Sequence, residues 1–272
     1  MGRVIQTLAE GELVRGVTSL DDRLYVLRGD TSSEQIEVYD VDSYCFLRCI
    51  TVQGLGTTSD IVACEHNRCA YISDSARQAV RRVALADGAP ITHWPVNDIP
   101  YCLSITVKYS VLVTCRKVGK VKEFTTKGHL LREIVLPQDI FSPWQTVQLS
   151  SGELIVCHGY PADKLHRVCM IGLDSNVQVV NSYGGHAGSG SQLMNSPSHM
   201  VVDGNGYVFV ADLYNYRVLL LSPTLTYVRE VVSFKPLEWK LYRLSLDVKR
   251  RLLYVAQYRD KMTEGRVSVI TV

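Results

Sequence analysis

One short pattern recurs six times along the chain, and it constrains the fold more than any other feature of the sequence. In its clearest copy, Ser196 to Ser222, a proline precedes an apolar strand, an Asp-Gly-Asn-Gly turn, a second strand and an Arg-Val pair. The flanking runs are rich in valine, tyrosine and phenylalanine, which strands favour. Gly204 and Gly206 tolerate the positive φ of a hairpin turn. This copy therefore predicts three consecutive antiparallel strands.

The second strand of each copy carries an aliphatic residue that sets the repeat length. These anchor residues are Val26, Ile72, Val113, Val156, Val210 and Val255. Their separations are 46, 41, 43, 54 and 45 residues, and a four-stranded propeller blade takes roughly 40–50 residues. The longest step contains a Gly/Ser-rich segment, Asn181 to Gln192, which we interpret as a long surface loop. The spacing predicts an all-β fold, a six-bladed β-propeller of four-stranded antiparallel blades, as one domain over residues 1–272.

The two ends of the chain indicate how such a ring closes. After Val255 the sequence offers only one more strand, from Gly265 to the end, so the sixth blade lacks its outer strand. The run from Arg3 to Glu10 precedes the first full blade. We predict that this N-terminal strand pairs with the C-terminal strand, because ring closure buries strand edges that would otherwise promote aggregation.

The clearest copy resembles an NHL repeat. The matching residues are Pro197, Val202-Asp203, Gly206, Val210-Ala211-Asp212, Asn215 and Arg217-Val218. The other copies match by spacing more than by motif. The resemblance implies a propeller like the C-terminal one of tripartite-motif (TRIM-NHL) ubiquitin ligases, which bind RNA or protein, while a smaller group are lyases or lactonase-like hydrolases. It also implies that Asp74, Asp212 and Arg217 tie neighbouring blades together.

Composition excludes some partners. The formal net charge is +2, from 29 basic and 27 acidic residues, so no global field attracts nucleic acid or a membrane. No apolar run reaches the roughly 18 residues of a membrane-spanning helix. The polar N-terminus and the lack of an Asn-X-Ser/Thr acceptor lead us to expect a cytoplasmic protein. The eight cysteines include no C-x-x-C pair, and we expect most to be reduced, buried thiols.

A candidate ligand-binding face lies where the innermost strands begin. Counting back from the anchors places one ring of residues at Arg15, Ile61, Cys102, Gln145, His199 and Arg243. The residues before them are Val14, Asp60, Tyr101, Trp144, Ser198 and Tyr242. Loops on the same face add further bases. We predict a binding face that comprises Arg15, Tyr101, Arg116, Lys117, Trp144, Gln145, His199, Tyr242 and Arg243.

This mixture of arginine and aromatic residues leaves the ligand open. Tryptophan, tyrosine and arginine dominate protein-interaction hot spots. They also contact phosphates and stack RNA bases, and ordinary loops contain them too. Our leading hypothesis is a non-enzymatic module that binds a protein or peptide, as substrate receptor or scaffold. RNA binding through the same face is the first alternative, and we expect neither DNA nor a membrane as partner.

Enzyme function is the second alternative, as a metal-dependent lyase or lactonase-like hydrolase. A zinc site needs several inward-facing ligands, yet among the seven histidines only His199 falls on the inner ring. Gln145 and Asp60 are too few for a calcium site, although a two-histidine site of His158 and His199 stays open. No Gly-X-Ser-X-Gly elbow is present. We therefore expect no cofactor, no metal and no catalytic residue.

Overall fold

The structure is a computed structural model, and it describes residues 2–29, 35–85, 92–173, 177–234, 239–259 and 262–272. It contains six antiparallel sheets of four strands each. The innermost strands contact one another in succession around a closed ring, and the sixth contacts the first. The predicted six-bladed β-propeller is therefore confirmed. No helix in these residues is long and apolar enough to cross a membrane.

The chain begins with β1 (Val4–Glu12), which belongs to the last blade. Blade one contains β2 (Val14–Leu20), β3 (Arg23–Arg28), β4 (Gln35–Asp40) and β5 (Phe46–Thr51). Blade two contains β6 (Thr58–Cys64), β7 (Cys69–Asp74), β8 (Ala79–Ala84) and β9 (Thr92–Pro95). Blade three contains β10 (Leu103–Ile105), β11 (Val111–Cys115), β12 (Lys120–Phe124) and β13 (Leu130–Val135).

Blade four contains β14 (Pro143–Gln148), β15 (Leu154–His158), β16 (His166–Gly172) and β17 (Gln178–Gly185). Blade five contains β18 (Pro197–Val202), β19 (Val208–Asp212), β20 (Arg217–Leu221) and β21 (Tyr227–Ser233). Blade six contains β22 (Lys240–Asp247), β23 (Leu252–Tyr258), β24 (Glu264–Thr271) and, as its outer strand, β1. Two short 3-10 helices cover Arg116–Val118 and Leu213–Asn215.

The N-terminal strand closes the ring, as the sequence predicts. β1 pairs antiparallel with β24, from Val4 opposite Ile270 to Glu12 opposite Glu264. The first and last parts of the chain therefore share one sheet. This pairing gives blade six the outer strand that its own sequence lacks, and it covers the outer edge of β24.

The hydrophobic core lies between the faces of neighbouring blades. Tyr71 and Trp94 of blade two, for example, are buried against Leu103 and Val113 of blade three. The Tyr71 and Trp94 rings meet edge to face at 5.8 Å. Burying such large side chains contributes about 1.5–3 kcal/mol each. Side chains alternate between the two faces of each strand, so every blade has apolar residues that pack against both of its neighbours.

In blades two and five, the Asp and Arg of the repeat fasten the incoming loop to the blade. In blade five, Asp212 accepts the Nε–H of Arg217 at 2.9 Å and the backbone N–H of Asn195 at 2.7 Å. Arg217 in turn donates to the carbonyl of Leu193, which lies in the loop from blade four. Asp74 accepts from the backbone of Gly56 in the same way. These contacts agree with the structural role that the resemblance implies.

One detail of the sequence interpretation is wrong. The Gly/Ser-rich segment is not all loop, because its residues 181–185 form the second half of β17. Gly184 fits there because its backbone passes so close to His166 that a Cβ would lie 2.4 Å from the His166 carbonyl oxygen. By contrast, the expectation that most cysteines are buried, free thiols is confirmed: all eight are free, six of them are buried, and Cys45 and Cys49 are exposed.

Candidate functional site

A β-bulge near the start of most innermost strands decides which side chains reach the central channel. Pairing aligns each anchor with one residue of the inner strand, such as Val210 with Met200. The residues that precede these partners form the channel ring: Gly16, Asp60, Cys102, Gln145, His199 and Arg243. The predicted ring is therefore wrong at Arg15 and Ile61. The register changes because Val17 pairs with Val26 nine residues later, whereas Ile61 pairs with Ile72 eleven residues later.

Five of these ring residues form a buried polar cluster, which we call the channel plug: Asp60, Cys102, Gln145, His199 and Arg243. Arg243 is fully buried, and its Nε lies 3.2 Å from Oδ1 of Asp60. It donates to the carbonyls of Ser59 and Tyr242 at 2.7 and 3.0 Å. Its guanidinium also lies 3.7 Å from the Tyr242 ring centroid. The Arg243 guanidinium is shielded from water, and these acceptors take the place of its hydration.

The Asp60 carboxylate completes this charge balance. Its Oδ2 accepts the backbone N–H of Leu103 at 2.9 Å. Burial raises the pKa of Asp60, but the charge of Arg243 and the contact with His199 outweigh burial and leave that pKa below its ordinary value. Burial alone would lower the pKa of the Arg243 guanidinium, but the groups around it hold that pKa well above its usual range. Asp60 and Arg243 are therefore an ionised pair.

His199 and Gln145 sit beside this pair and are held by backbone groups. The Nδ1 atom of His199 accepts the backbone N–H of Leu244 at 3.2 Å, and its Nε2 lies 3.0 Å from the amide nitrogen of Gln145. The side-chain oxygen of Gln145 accepts from the backbone of Met200. Burial lowers the pKa of His199 below its ordinary value, although Asp60 opposes this. His199 is neutral at pH 7.

The chemistry of the plug does not fit a metal site or a nucleophile. Asp60, Cys102 and His199 place potential ligand atoms within 4.8 Å of one another, but the Arg243 guanidinium already supplies the positive charge that a cation would bring. Burial holds the pKa of the Cys102 thiol well above its ordinary value, so it stays protonated. His158, the other candidate ligand, lies instead with Arg167 and Cys169. We assign the plug a structural role.

A cavity of about 240 Å³ lies on the other side of the plug. Its lining follows the ring residues along the innermost strands and includes Thr18, Ser104 and Ser245 together with His199 and Gln145. The hydroxyls there are used locally: Ser104 donates to the carbonyl of Thr146 at 2.7 Å. This lower cavity is small, its lining mixes apolar and polar side chains, and it includes no aspartate, glutamate, lysine or arginine.

The upper mouth of the channel, where the innermost strands begin, carries an arginine against three aromatic rings. We call these four residues the Arg116 stack: Tyr101, Arg116, Trp144 and Tyr160. The Arg116 guanidinium carbon lies 4.4 Å from the Trp144 ring centroid, 4.6 Å from that of Tyr160 and 5.3 Å from that of Tyr101. Trp144 is buried and donates to the carbonyl of Gly159 at 3.0 Å, whereas Tyr160 is 45% exposed. The stack joins blades three and four.

In the described part of the chain, the guanidinium of Arg116 contacts aromatic rings. Among the described residues, no oxygen or nitrogen atom forms a hydrogen bond or ion pair with its guanidinium. Aromatic faces stabilise a cation by about 0.5–2 kcal/mol but leave its N–H groups unsatisfied by acceptors. The Arg116 stack therefore presents a half-buried, positively charged group with unused donors at the channel mouth.

The structure distributes the predicted binding-face residues over three environments. Gln145, His199 and Arg243 lie in the plug, and Tyr242 is buried above it. Tyr101 and Trp144 belong to the Arg116 stack. Arg15 begins the inner strand of blade one at the mouth and is half-buried, and Lys117 is exposed next to Arg116. Most of the predicted face is therefore interior, and only its outer members reach solvent.

The predicted binding face omits two residues of this region. The sequence analysis assigns Asp60 to the column before the ring, because the longer hairpin of blade two is not visible in the anchor spacing. Tyr160 lies in the segment from Gly159 to Lys164, which reads as an ordinary turn. Its one available signal is an aromatic residue directly before a proline in a loop of the same face.

Known proteins share the fold but not the sequence. No protein-family model matches the chain, and no curated protein does. A streptogramin B lyase structure matches with a TM-score of 0.68 at 11% identity, over 99% of this chain and 97% of that one. The β-propeller domain of Myceliophteria thermophila Cps50 (Swd1) matches with 0.67 at 11%, over 100% of both chains. Kuenenia stuttgartiensis hydrazine synthase matches with 0.68 at 12%, over 96% of both. At such identities the likeness shows the six-bladed propeller fold alone.

Proposed function

We propose that this propeller is a non-enzymatic interaction module that binds a peptide segment of a protein partner at the upper mouth of its channel. The observation that carries this proposal is the Arg116 stack, a cation with unused donors set among aromatic rings. Arginine, tyrosine and tryptophan in a partly desolvated pocket are the usual composition of an interaction hot spot. The partner contacts Tyr160 and Arg116, and the buried Trp144 holds them in place.

RNA fits this mouth less well than a peptide does. Single-stranded RNA is bound largely by stacking its bases on open aromatic faces. In the Arg116 stack, Trp144 is only 4% exposed and the Arg116 guanidinium lies over its ring. A base would have to displace the arginine, whereas a peptide can use it as a hydrogen-bond donor.

The NHL and ubiquitin-ligase assignments rest on the resemblance to NHL repeats, and the cytoplasmic assignment rests on the polar N-terminus and the lack of an Asn-X-Ser/Thr acceptor. A single NHL-type domain over residues 1–272, a role as the substrate-binding propeller of a ubiquitin ligase and cytoplasmic residence all stay predictions from the sequence. Lyases occur among proteins with similar structures, but the plug supports no lyase chemistry, because its carboxylate is paired with Arg243 and its thiol is protonated.

The experiment selects peptides from a displayed random library against the full chain and measures their affinity for two matched variants. Tyr160→Ala changes the upper mouth, and Tyr109→Ala removes a tyrosine of similar exposure, 47% against 45%, from a hairpin on the opposite face. We expect Tyr160→Ala to weaken binding by at least about tenfold and Tyr109→Ala to leave it unchanged. Equal affinities, or no selected peptide, would refute the proposal.

A further inference from the structure

We propose that the Arg116 stack is a carboxylate-binding site, so that the peptide recognised at the mouth carries an aspartate or glutamate at one fixed position. This inference rests on the proposed function and specifies its ligand. It assigns to Arg116 an acceptor that the described residues do not supply.

The first support is the state of the Arg116 donors. A guanidinium carries five N–H donors in a planar fork, and it is satisfied in most proteins by carboxylates or carbonyls. In the described part of the chain, the contacts of Arg116 are aromatic rings alone. Rings interact with the cation through their π faces and offer no acceptor for the planar donors. Such a fork matches the two oxygens of one carboxylate.

The second support is that the acidic residues near Arg116, in the part of blades three and four at the upper mouth, already have partners. The acidic residues of blades three and four on this face are already engaged. Asp139 pairs with Arg167 at 2.6 Å, and Asp98 pairs with Lys122 at 2.6 Å. Asp163 accepts the backbone N–H of Tyr160 at 2.7 Å. None of these carboxylates contacts Arg116, so the described residues of these two blades supply no anion for it.

The remaining bases of this sector point to the same ligand charge. Lys117 follows Arg116 directly and is exposed, and Lys164 lies on the loop that carries Tyr160. Neither side chain has a hydrogen-bond or ion-pair partner among the described residues. Two free cations around a half-buried third raise the local concentration of acidic segments. Arg116 is the one that the rings hold in a fixed position.

Arg116 rather than Lys117 makes the specific contact, because Arg116 is half-buried and Lys117 is exposed. An ion pair between fully exposed groups contributes little to binding, because solvent and salt screen it. Arg116 is half-buried against Trp144 and Tyr101, and a hydrogen bond to a charged group contributes more in such a site than at a fully exposed one. The rings also limit the rotamers of the side chain, so less entropy is lost when a carboxylate binds.

The test compares peptides selected by the wild-type chain with those selected by Arg116→Gln. We expect the wild type to enrich Asp or Glu at one position, and we expect the glutamine variant to lose that enrichment. Replacing this residue in a selected peptide by its amide should weaken wild-type binding by about tenfold or more. Arg116→Gln should show no such difference, because the same contact is missing in both cases.

Two controls separate a specific contact from general charge. Lys127→Gln removes one positive charge from an exposed turn at the opposite end of the same blade, and it should change affinity by less than about twofold. Arg116→Lys keeps the charge but not the planar fork, and it should regain only part of the affinity. It also excludes a folding defect if its unfolding matches that of the wild type.

The outcomes distinguish the inference from the proposed function. Peptides whose binding requires Tyr160 but shows no acidic position would overturn the inference and leave the interaction module standing. If no peptide binds at Tyr160, both fail. If a random-sequence RNA pool binds instead, with loss on Arg116→Gln and a steep decline with salt, Arg116 recognises phosphate and the carboxylate assignment is wrong.

Discussion

Arg243 and Arg116 both lie against the ring of Tyr101, with guanidinium carbons 5.4 and 5.3 Å from its centroid. Arg243 is fully buried, pairs with Asp60 and donates to two backbone carbonyls. Arg116 has the same ring as neighbour but no acceptor among the described residues. A buried cation needs a partner of opposite charge or hydrogen-bond acceptors within the chain. A cation at the solvent-facing mouth can instead find its acceptor on a ligand. The comparison separates the residue that holds the ring together from the residue that is available for binding.

The largest expected effect concerns the plug. Arg243→Met leaves the Asp60 carboxylate buried and unpaired, and we expect the free energy of unfolding to fall by about 3–5 kcal/mol. Chemical unfolding in urea measures it. The double variant Arg243→Met with Asp60→Asn keeps an acceptor for Leu103 and removes the unpaired charge, so it should lose less than the single variant. A single variant within about 1 kcal/mol of the wild type would contradict the structural role.

The buried histidines should make stability depend on pH. Burial, with a smaller effect of Arg167, lowers the pKa of His158 to about 4, and burial also lowers that of His199. The unfolded chain binds a proton near pH 6.5 that the folded chain does not bind until lower pH, so stability decreases as the pH falls. For His158 we expect about 2 kcal/mol between pH 7 and pH 5. His158→Gln should flatten this slope, and an unchanged slope would show that His158 titrates normally.

The shared ring should affect both arginines. Tyr101→Leu removes the aromatic face next to Arg243 and Arg116, and we expect stability to fall by about 1–2 kcal/mol together with the affinity for a peptide. Tyr101→Phe loses only the 3.3 Å contact between the hydroxyls of Tyr101 and Tyr242, and it should remain close to the wild type in both measurements. A leucine variant that changes stability but not affinity would show that Arg116 does not depend on this ring.

The smallest effect on stability belongs to the mouth. Arg116→Gln removes cation–π contacts that are open to solvent, and we expect a change of at most about 1 kcal/mol in urea unfolding. A loss as large as that of Arg243→Met would mean that Arg116 holds blades three and four together. In that case the contrast between the two arginines would disappear.

The sequence predicts the architecture because the propeller repeats one local pattern six times. The anchors from Val26 to Val255 fix strand order and blade number, and the short sixth copy indicates that the N-terminal strand closes the ring. The site depends on the register of each hairpin, and register is harder to predict from the sequence than strand order. A hairpin one residue shorter or longer than its neighbours moves Arg15 off the channel ring and Asp60 onto it, because side chains alternate along a strand.

Burial is the other property that the sequence could not give. Trp144 and Tyr242 belong to residue types that are common in binding sites, and both lie near loops. Other residues of the upper face nevertheless bury them. The position of Tyr160 over Arg116 depends on how the loops of two blades meet, and no local pattern records such a contact. The composition of the face was therefore predictable, while the division between plug and mouth was not.

The most direct test of this division is nitrogen-15 NMR of the arginine side chains during titration with a selected acidic peptide. The account predicts that the Nε–H signal of Arg116 shifts and exchanges more slowly with water as the peptide binds. The Arg243 signal should be protected from the start and remain unchanged. A bound peptide that leaves Arg116 unaffected, or an Arg243 signal that exchanges rapidly in the free protein, would contradict the account.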